Sequence, residues 1–326
     1  MSAAVVTAKG YPSYFEAAAR GSAQERERSF GSLIARGQAL LFAEAASRSA
    51  IHEAMQLFSR ALSYARGEGH LGTVYYNVGL AKLEEGRRAA NLPLLQEATQ
   101  ALLFALKRRL PVQVAAGAQS ALGSAYGLMG ELCARPRFYA MAIACHRRTL
   151  AMVGVHEPLW AASQNNLGAC WHKQGEQTGS PKHFEGALAA YRRALEVYRQ
   201  EIAPARWAAV QNNIGSALTS LGQIQDGSRR WELAIAIFSA VLLVRTQQVD
   251  PYGYAETCYN QATAFRLLHA RCGGVDRLLA ASKTYKCAIQ TWTHLLGPKH
   301  PWVAQAVQDQ TKLHSLSYRS VLSLHP

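Results

Sequence analysis

The chain has 326 residues, of which 49% are hydrophobic and 25 are glycine, a balance suited to a folded globular chain and not to a disordered or fibrous one. Its 35 lysines and arginines against 21 acids leave a formal charge of +14, which favours an acidic partner surface: an acidic protein tail, nucleic acid or anionic lipid. The longest apolar run, Leu233 to Val244, is about half what a membrane helix needs, and the first residues carry no signal-peptide core, so the expectation is a cytoplasmic protein without a membrane span.

In chain order, residues 1–28 are small, polar and of mixed charge and read as a tail, with Tyr11, Pro12, Tyr14 and Phe15 as a candidate docking segment. Phe30 to Ala46 and Ile51 to Tyr64 give a first, shorter unit, with Gly37, Ala54, Phe58 and Ala61 in the order that later units keep. Units then run from about 70 to 109, 112 to 152, 158 to 200, 204 to 247 and 251 to 293. Aligned on the glycine of NNLG, their anchors are Gly79, Gly123, Gly168, Gly215 and Ala262, spaced by 44, 45, 47 and 47 residues. A period of this size signals an array in which each unit buries its apolar face only by stacking on neighbours. A last segment, about His300 to Leu316, has one helical pattern and no second, and reads as a cap over the apolar end. The plan is therefore a tail (1–28), an array of about six helix pairs with its cap (29–316) and a second tail (317–326).

Within a unit, Trp160, Ser163, Leu167, Cys170 and Trp171 recur at helical spacing, as do Phe184, Ala187, Leu188, Tyr191, Ala194 and Leu195 further on. These are two amphipathic helices, A and B. Nineteen residues after each anchor stands an alanine (Ala98, Ala142, Ala187, Ala234, Ala281), so the spacing predicts an A-to-B seam in which Gly168 meets Ala187. Gly86, Gly130, Gly175 and Gly222, seven residues past the anchors, are expected to end helix A in the left-handed conformation, before long turns such as EQTGSPK and QIQDGSR. The run GEGHLG, Gly67 to Gly72, matches a dinucleotide-binding glycine pattern but follows a helix B and no strand, so it is expected to be a flexible joint.

This pattern resembles the tetratricopeptide repeat, with its small, small, aromatic and alanine places falling on Gly168, Ala187, Tyr191 and Ala194, then on Gly215, Ala234, Phe238 and Val241. The spacing between the two small residues is seven longer than usual, and Gln164 and Gln211 replace the family's early aromatic, so the likeness is to a long-turn variant. GPKHPWVA before the cap is similar to the linker of kinesin-light-chain repeats. The resemblance implies an all-α, right-handed superhelical solenoid of antiparallel helix pairs. It also implies a concave wall lined by helix A, where an asparagine two residues before the anchor reaches the backbone of a bound peptide. On this chain the candidate peptide-binding residues are Asn77, Asn165, Asn166, His172, Lys173, Asn212, Asn213, Asn260 and Arg266. An asparagine amide offers both a donor and an acceptor, enough to satisfy one extended peptide residue. The competing reading is that the same amides bond the next helix and only fix the stack.

No catalytic signature is present: no phosphate loop with lysine, no GxSxG elbow, no paired carboxylates, and eleven histidines without metal-ligand spacing. The six cysteines form no CxxC pair and read as reduced residues of helix faces. The expectation is a non-catalytic, cofactor-free and metal-free scaffold or adaptor that binds a protein segment or builds into a larger complex. The alternatives are a basic helical-repeat binder of nucleic acid and a structural component of a microtubule-associated assembly.

Overall fold

The structure, a computed structural model, describes residues 22–43, 47–225 and 227–322, and side chains as far as residue 313. The candidate docking segment at Tyr11, Pro12, Tyr14 and Phe15 lies outside the described residues. The described chain forms two compact units, Met1–Val153 and Gly154–Pro326. In the first, three helix pairs follow one another: α1 (Ala23–Leu41) with α2 (Arg48–Leu62), α3 (Gly67–Ala89) with α4 (Leu92–Leu106), and α5 (Val112–Cys133) with α6 (Pro136–Met152). The second holds α7 (Pro158–Thr178) with α8 (Pro181–Val197), α9 (Pro204–Ile224) with α10 (Ser228–Leu242), α11 (Pro251–Cys272) with α12 (Val275–Leu296), and a last helix α13 (Pro301–Leu322). Among the described residues the fold is all-α, and within each unit the helix pairs stack in sequence as in a solenoid.

Local chemistry sets where the helices begin. Proline opens α6, α7, α8, α9 and α11, where a missing amide hydrogen costs nothing. Side chains cap as well: Ser22 and Glu25 close a reciprocal capping box on α1, and the Asn91 and Asp250 carboxamide and carboxylate oxygens accept from the amides of Leu94 (3.0 Å) and Gly253 (2.8 Å), the latter beside the proline that opens α11.

Where helix A ends departs from the expectation. Gly86, Gly130, Gly175 and Gly222 do not terminate it; they lie buried inside α3, α5, α7 and α9. The left-handed residue comes eleven past the anchor instead: Ala90 (φ 46°), Ala134 (φ 51°), Gly179 (φ 65°) and Gly273 (φ 66°). The extra seven residues of each unit are therefore helix for the most part, and helix A reaches 21 to 23 residues in the five full units. GEGHLG is likewise not a flexible joint but the first turns of α3. There Gly69 lies under the Arg109 carbonyl and Gly72 under Arg108 and Leu110, so close that a Cβ at Gly72 would come within 2.6 Å of the Leu110 side chain.

The two glycines of each helix A are sockets. A Cβ on Gly168 would sit 2.5 Å from the Tyr191 ring, and one on Gly175 would sit 2.9 Å from the Phe184 ring. Gly215 takes Phe238 and Gly222 takes Trp231 in the next pair, while Gly79 takes Leu102, Gly86 takes Leu95, Gly123 takes His146 and Gly130 takes Tyr139. Moving seven residues forward on A moves seven backward on B, which is what an antiparallel pair requires. The gap at Gly168 is filled by Tyr191: the atoms nearest a Cβ placed on the glycine are those of its ring, one turn beyond Ala187. The alanine has a separate part. Ala98, Ala142, Ala187, Ala234 and Ala281 are all fully buried, and the Ala98 carbonyl lies 3.4 Å from where a Cβ on Gly79 would stand, so the small side chain lets the backbones approach while the larger side chain fills the glycine gap.

The last helix departs from the pattern of the A helices before it. Pro204 and Pro251 stand eleven residues before their anchors, and eleven past Pro301 is Lys312, whose side chain is 54% exposed. A lysine there offers no socket for a helix B. α13 instead buries Val303, Ala306 and Leu313 against the α11 and α12 side chains Cys258, Ala288, Trp292 and Tyr285.

Candidate peptide-binding face

The candidate residues sit on the A helices. Asn166, Asn213 and Asn260 lie two places before their anchors, about 200° round the helix, so they point away from the B partner. Asn165 and Asn212, one place earlier, point toward the next A helix.

In the second unit these amides form a register of inter-helix bonds. Asn213 Nδ2 donates to Asn165 Oδ1 at 3.0 Å, joining α9 to α7, and Asn260 Nδ2 donates to Asn212 Oδ1 at 3.3 Å, joining α11 to α9. Asn165 Nδ2 in turn donates to Asn166 Oδ1 at 3.4 Å. The row continues to α13, where Tyr259, at the place of Asn165 and Asn212, donates its hydroxyl to Asp309 Oδ2 at 2.8 Å. Burial draws the Asp309 carboxyl upward, but hydrogen bonds from Gln305, Tyr259 and Lys312 outweigh it and hold the group below the ordinary carboxylate range. Asp309 was not singled out from the sequence. The spacing from Pro301 would have found it, because eleven less three places it in register with Asn165, Asn212 and Tyr259.

Access separates the candidates. Asn165, Asn166, Asn213 and Asn260 are half-buried, so each keeps an edge toward solvent. Asn212 is 2% exposed and Asn77 fully buried. Asn77 accepts from Gln38 Nε2 at 2.9 Å and donates to the Thr73 carbonyl at 2.8 Å, joining α3 to α1 far along the chain from the other amides. His172 is also enclosed, 5.5 Å from the Phe184 ring and sharing a hydrogen bond with Ser220 Oγ at 3.1 Å. Its pKa is driven down to about 4 by burial, against the upward pull of Glu176, so the imidazole is neutral and the Glu176 carboxylate 3.4 Å away is not paired with a charged ring. The two bases are partly engaged: Lys173 pairs with Glu176 at 3.0 Å, and Arg266 Nε donates to the Tyr285 hydroxyl at 3.3 Å. Among the described residues no three His, Cys, Asp or Glu side chains gather as metal ligands, and no described helix is long and apolar enough to cross a membrane.

What the arrangement offers chemically is a row of neutral amides, held in place by one another, on parallel helices of the second unit. The sequence of one of those repeats matches a known family, described as the tetratricopeptide repeat, over residues 160–200. Residues 160–200 form a tetratricopeptide repeat. That span covers α7 and α8, the pair in which the Gly168 and Gly175 sockets were described. Tetratricopeptide repeats generally mediate protein–protein interaction. A search of curated proteins finds no match. Among solved structures, BtubC (BKLC) from P. vanneervenii is 20% identical, with 85% of this chain and 94% of that one covered and a TM-score of 0.43. The TPR2AB domain of yeast Sti1, solved as a complex with pHSP90, is 14% identical over 91% of this chain and 100% of its own, with a TM-score of 0.30. The C-terminal part of a TPR repeat-containing protein from Cytophaga hutchinsonii is 11% identical over 87% and 99%, with a TM-score of 0.33.

Proposed function

We propose that the chain is a non-catalytic scaffold whose second unit binds an extended protein segment along the A helices, through Asn165, Asn166, Asn213 and Asn260. The observation that carries this reading is the half-exposed amide row. Inter-helix bonds fix the orientation of these carboxamides, so a peptide backbone laid along them meets donors and acceptors that are already ordered, and little side-chain entropy is lost on binding. Asn212 and His172 serve the same face from beneath by tying helix to helix. Lys173 and Arg266, at its margin, favour a segment with acidic side chains.

The test is the pair Asn166→Ala and Asn213→Ala, separately and together, in affinity purification from the native cell followed by mass spectrometry. The double variant is expected to lose a specific protein partner while its helicity stays that of the parent. Full retention of the partner by a folded double variant overturns the reading. Asn213→Ala also removes the bond to Asn165, and Asn166→Ala the one from it, so the helicity of each single variant is read beside its partner.

A further inference from the structure

The charge of the first unit is not spread evenly over it. Because α4 runs antiparallel to α3, its last residues lie against the start of α3: the Arg109 carbonyl faces Gly69, and the Arg108 guanidinium stands 3.1 Å from the Glu68 carboxylate. The chain turns there directly into α5, and the Thr149 hydroxyl near the end of α6 reaches the Ala116 carbonyl in the first turns of α5 at 3.5 Å. One edge of the α3 to α6 repeats therefore gathers Arg66, Lys107, Arg108, Arg109, Arg147 and Arg148, with Glu68 as the single acid of the segments that form it. The opposite edge is balanced. Its five bases meet four acids, with Glu84 bound to both Arg87 and Arg88 and Lys82 bound to Glu97.

The basic edge also exposes apolar side chains among its charges: Leu103 (41% exposed), Val112 (56%) and Met152 (37%). Aromatic rings, by contrast, are not available. Phe104 is packed against Tyr75 at 4.2 Å with the Arg108 guanidinium over its face at 4.1 Å, and the His70 ring is stacked on Phe30 at 4.0 Å. Arginine forks fit carboxylates and phosphates alike, so charge alone does not choose the partner. The surroundings do. Single-stranded nucleic acid is held largely by stacking bases on free aromatic faces, and a duplex backbone would leave the three apolar side chains against water.

From this we propose that the edge formed by the start of α3, the turn from α4 to α5 and the end of α6 is a docking surface for an acidic polypeptide segment with interspersed apolar residues. The acids pair with the arginines, and the apolar residues cover Leu103, Val112 and Met152. This surface lies on the first unit and does not depend on the amide row of the second.

The experiment uses the full chain and three labelled probes of matched charge: a peptide of repeated Glu-Glu-Leu, an oligouridine and a short RNA duplex, each titrated by fluorescence anisotropy at several salt concentrations. The peptide is expected to bind, more weakly as salt rises. The pairs Lys107→Glu with Arg109→Glu, and Arg147→Glu with Arg148→Glu, should each weaken it by about tenfold or more. Arg192→Glu with Arg193→Glu removes the same charge from the exposed side of α8 and should leave the affinity within about twofold. An equal loss in all three charge-reversed proteins would mean that only net charge matters and overturns the proposal. Tighter binding of either RNA, lost in the same two pairs, overturns it in favour of nucleic acid. Glutamine in place of each reversed base carries the same expectation should a reversal disturb helicity.

Discussion

At the residue scale, the most exposed weakness of the design is a buried histidine. His146 occupies the place that Phe58, Tyr191, Phe238 and Tyr285 fill in other pairs; its ring covers Gly123, it is fully buried, and neither ring nitrogen has a hydrogen-bond partner. Burial drives its pKa from 6.5 down to about 4. The folded state thus binds the proton less readily than the unfolded chain. Its contribution is whole above about pH 6.5 and is lost progressively as the pH falls toward 4, a cost on the order of 3 kcal/mol for so large a shift. His172 titrates in the same direction and adds to the loss. His146→Phe keeps a ring over Gly123 and removes the titration. Urea unfolding at pH 7 and pH 4.5 should show the variant losing about 2 kcal/mol less over that interval than the parent. Parallel losses in the two proteins would mean that His146 is solvated and titrates normally.

At the scale of the helix, two effects compete at the anchor glycines. Alanine in place of Gly168 gains about 1 kcal/mol of helix propensity. It also puts a Cβ 2.5 Å from a Tyr191 ring that is itself fully enclosed and has nowhere to retreat. Overpacking of this kind costs about 1 to 3 kcal/mol, so the clash should win and Gly168→Ala should lower the melting temperature by several degrees, read by circular dichroism at 222 nm. Gly179→Ala, at a left-handed position with open space around it, should lose only about 1 kcal/mol for its backbone strain. A stabilised Gly168→Ala protein would show that the seam is loose. The period of the anchors and the amphipathic faces made the helix pairs legible in the sequence, because stacking repeats the same burial every 44 to 47 residues. The ends of helix A were not legible. A second glycine looks the same in a sequence whether it ends a helix or seats a ring, and only the partner at Phe184 or Trp231 tells which; the true stop at Ala90 and Ala134 is an alanine in a conformation that alanine disfavours. The same limit applies to the candidate face. Residue type placed Asn166, Asn213 and Asn260 on one side of their helices, but that Asn77 and Asn212 are sealed beneath neighbours depends on distances between helices far apart in sequence.

At the scale of the whole molecule, charge opposes folding more than it helps. The ion pairs of the described residues, such as Lys173 with Glu176, Arg108 with Glu68 and Arg245 with Asp250, each have at least one partner well exposed to water. Pairs of that kind contribute between nothing and about 1 kcal/mol each, and salt weakens them. Against them stands an excess of 14 positive charges over 326 residues, whose mutual repulsion is also screened by salt but runs over every pair of bases on the surface. The repulsive sum should dominate, since the excess cannot be paired however the acids are arranged. Raising sodium chloride from about 20 mM to about 500 mM, where the screening length falls from roughly 20 Å to roughly 4 Å, should therefore raise the melting temperature by a few degrees at pH 7. Sodium perchlorate at matched ionic strength, a salt that does not strengthen apolar burial, should do the same, which separates charge screening from salting-out. A melting temperature that falls with either salt would show that the local pairs outweigh the net charge.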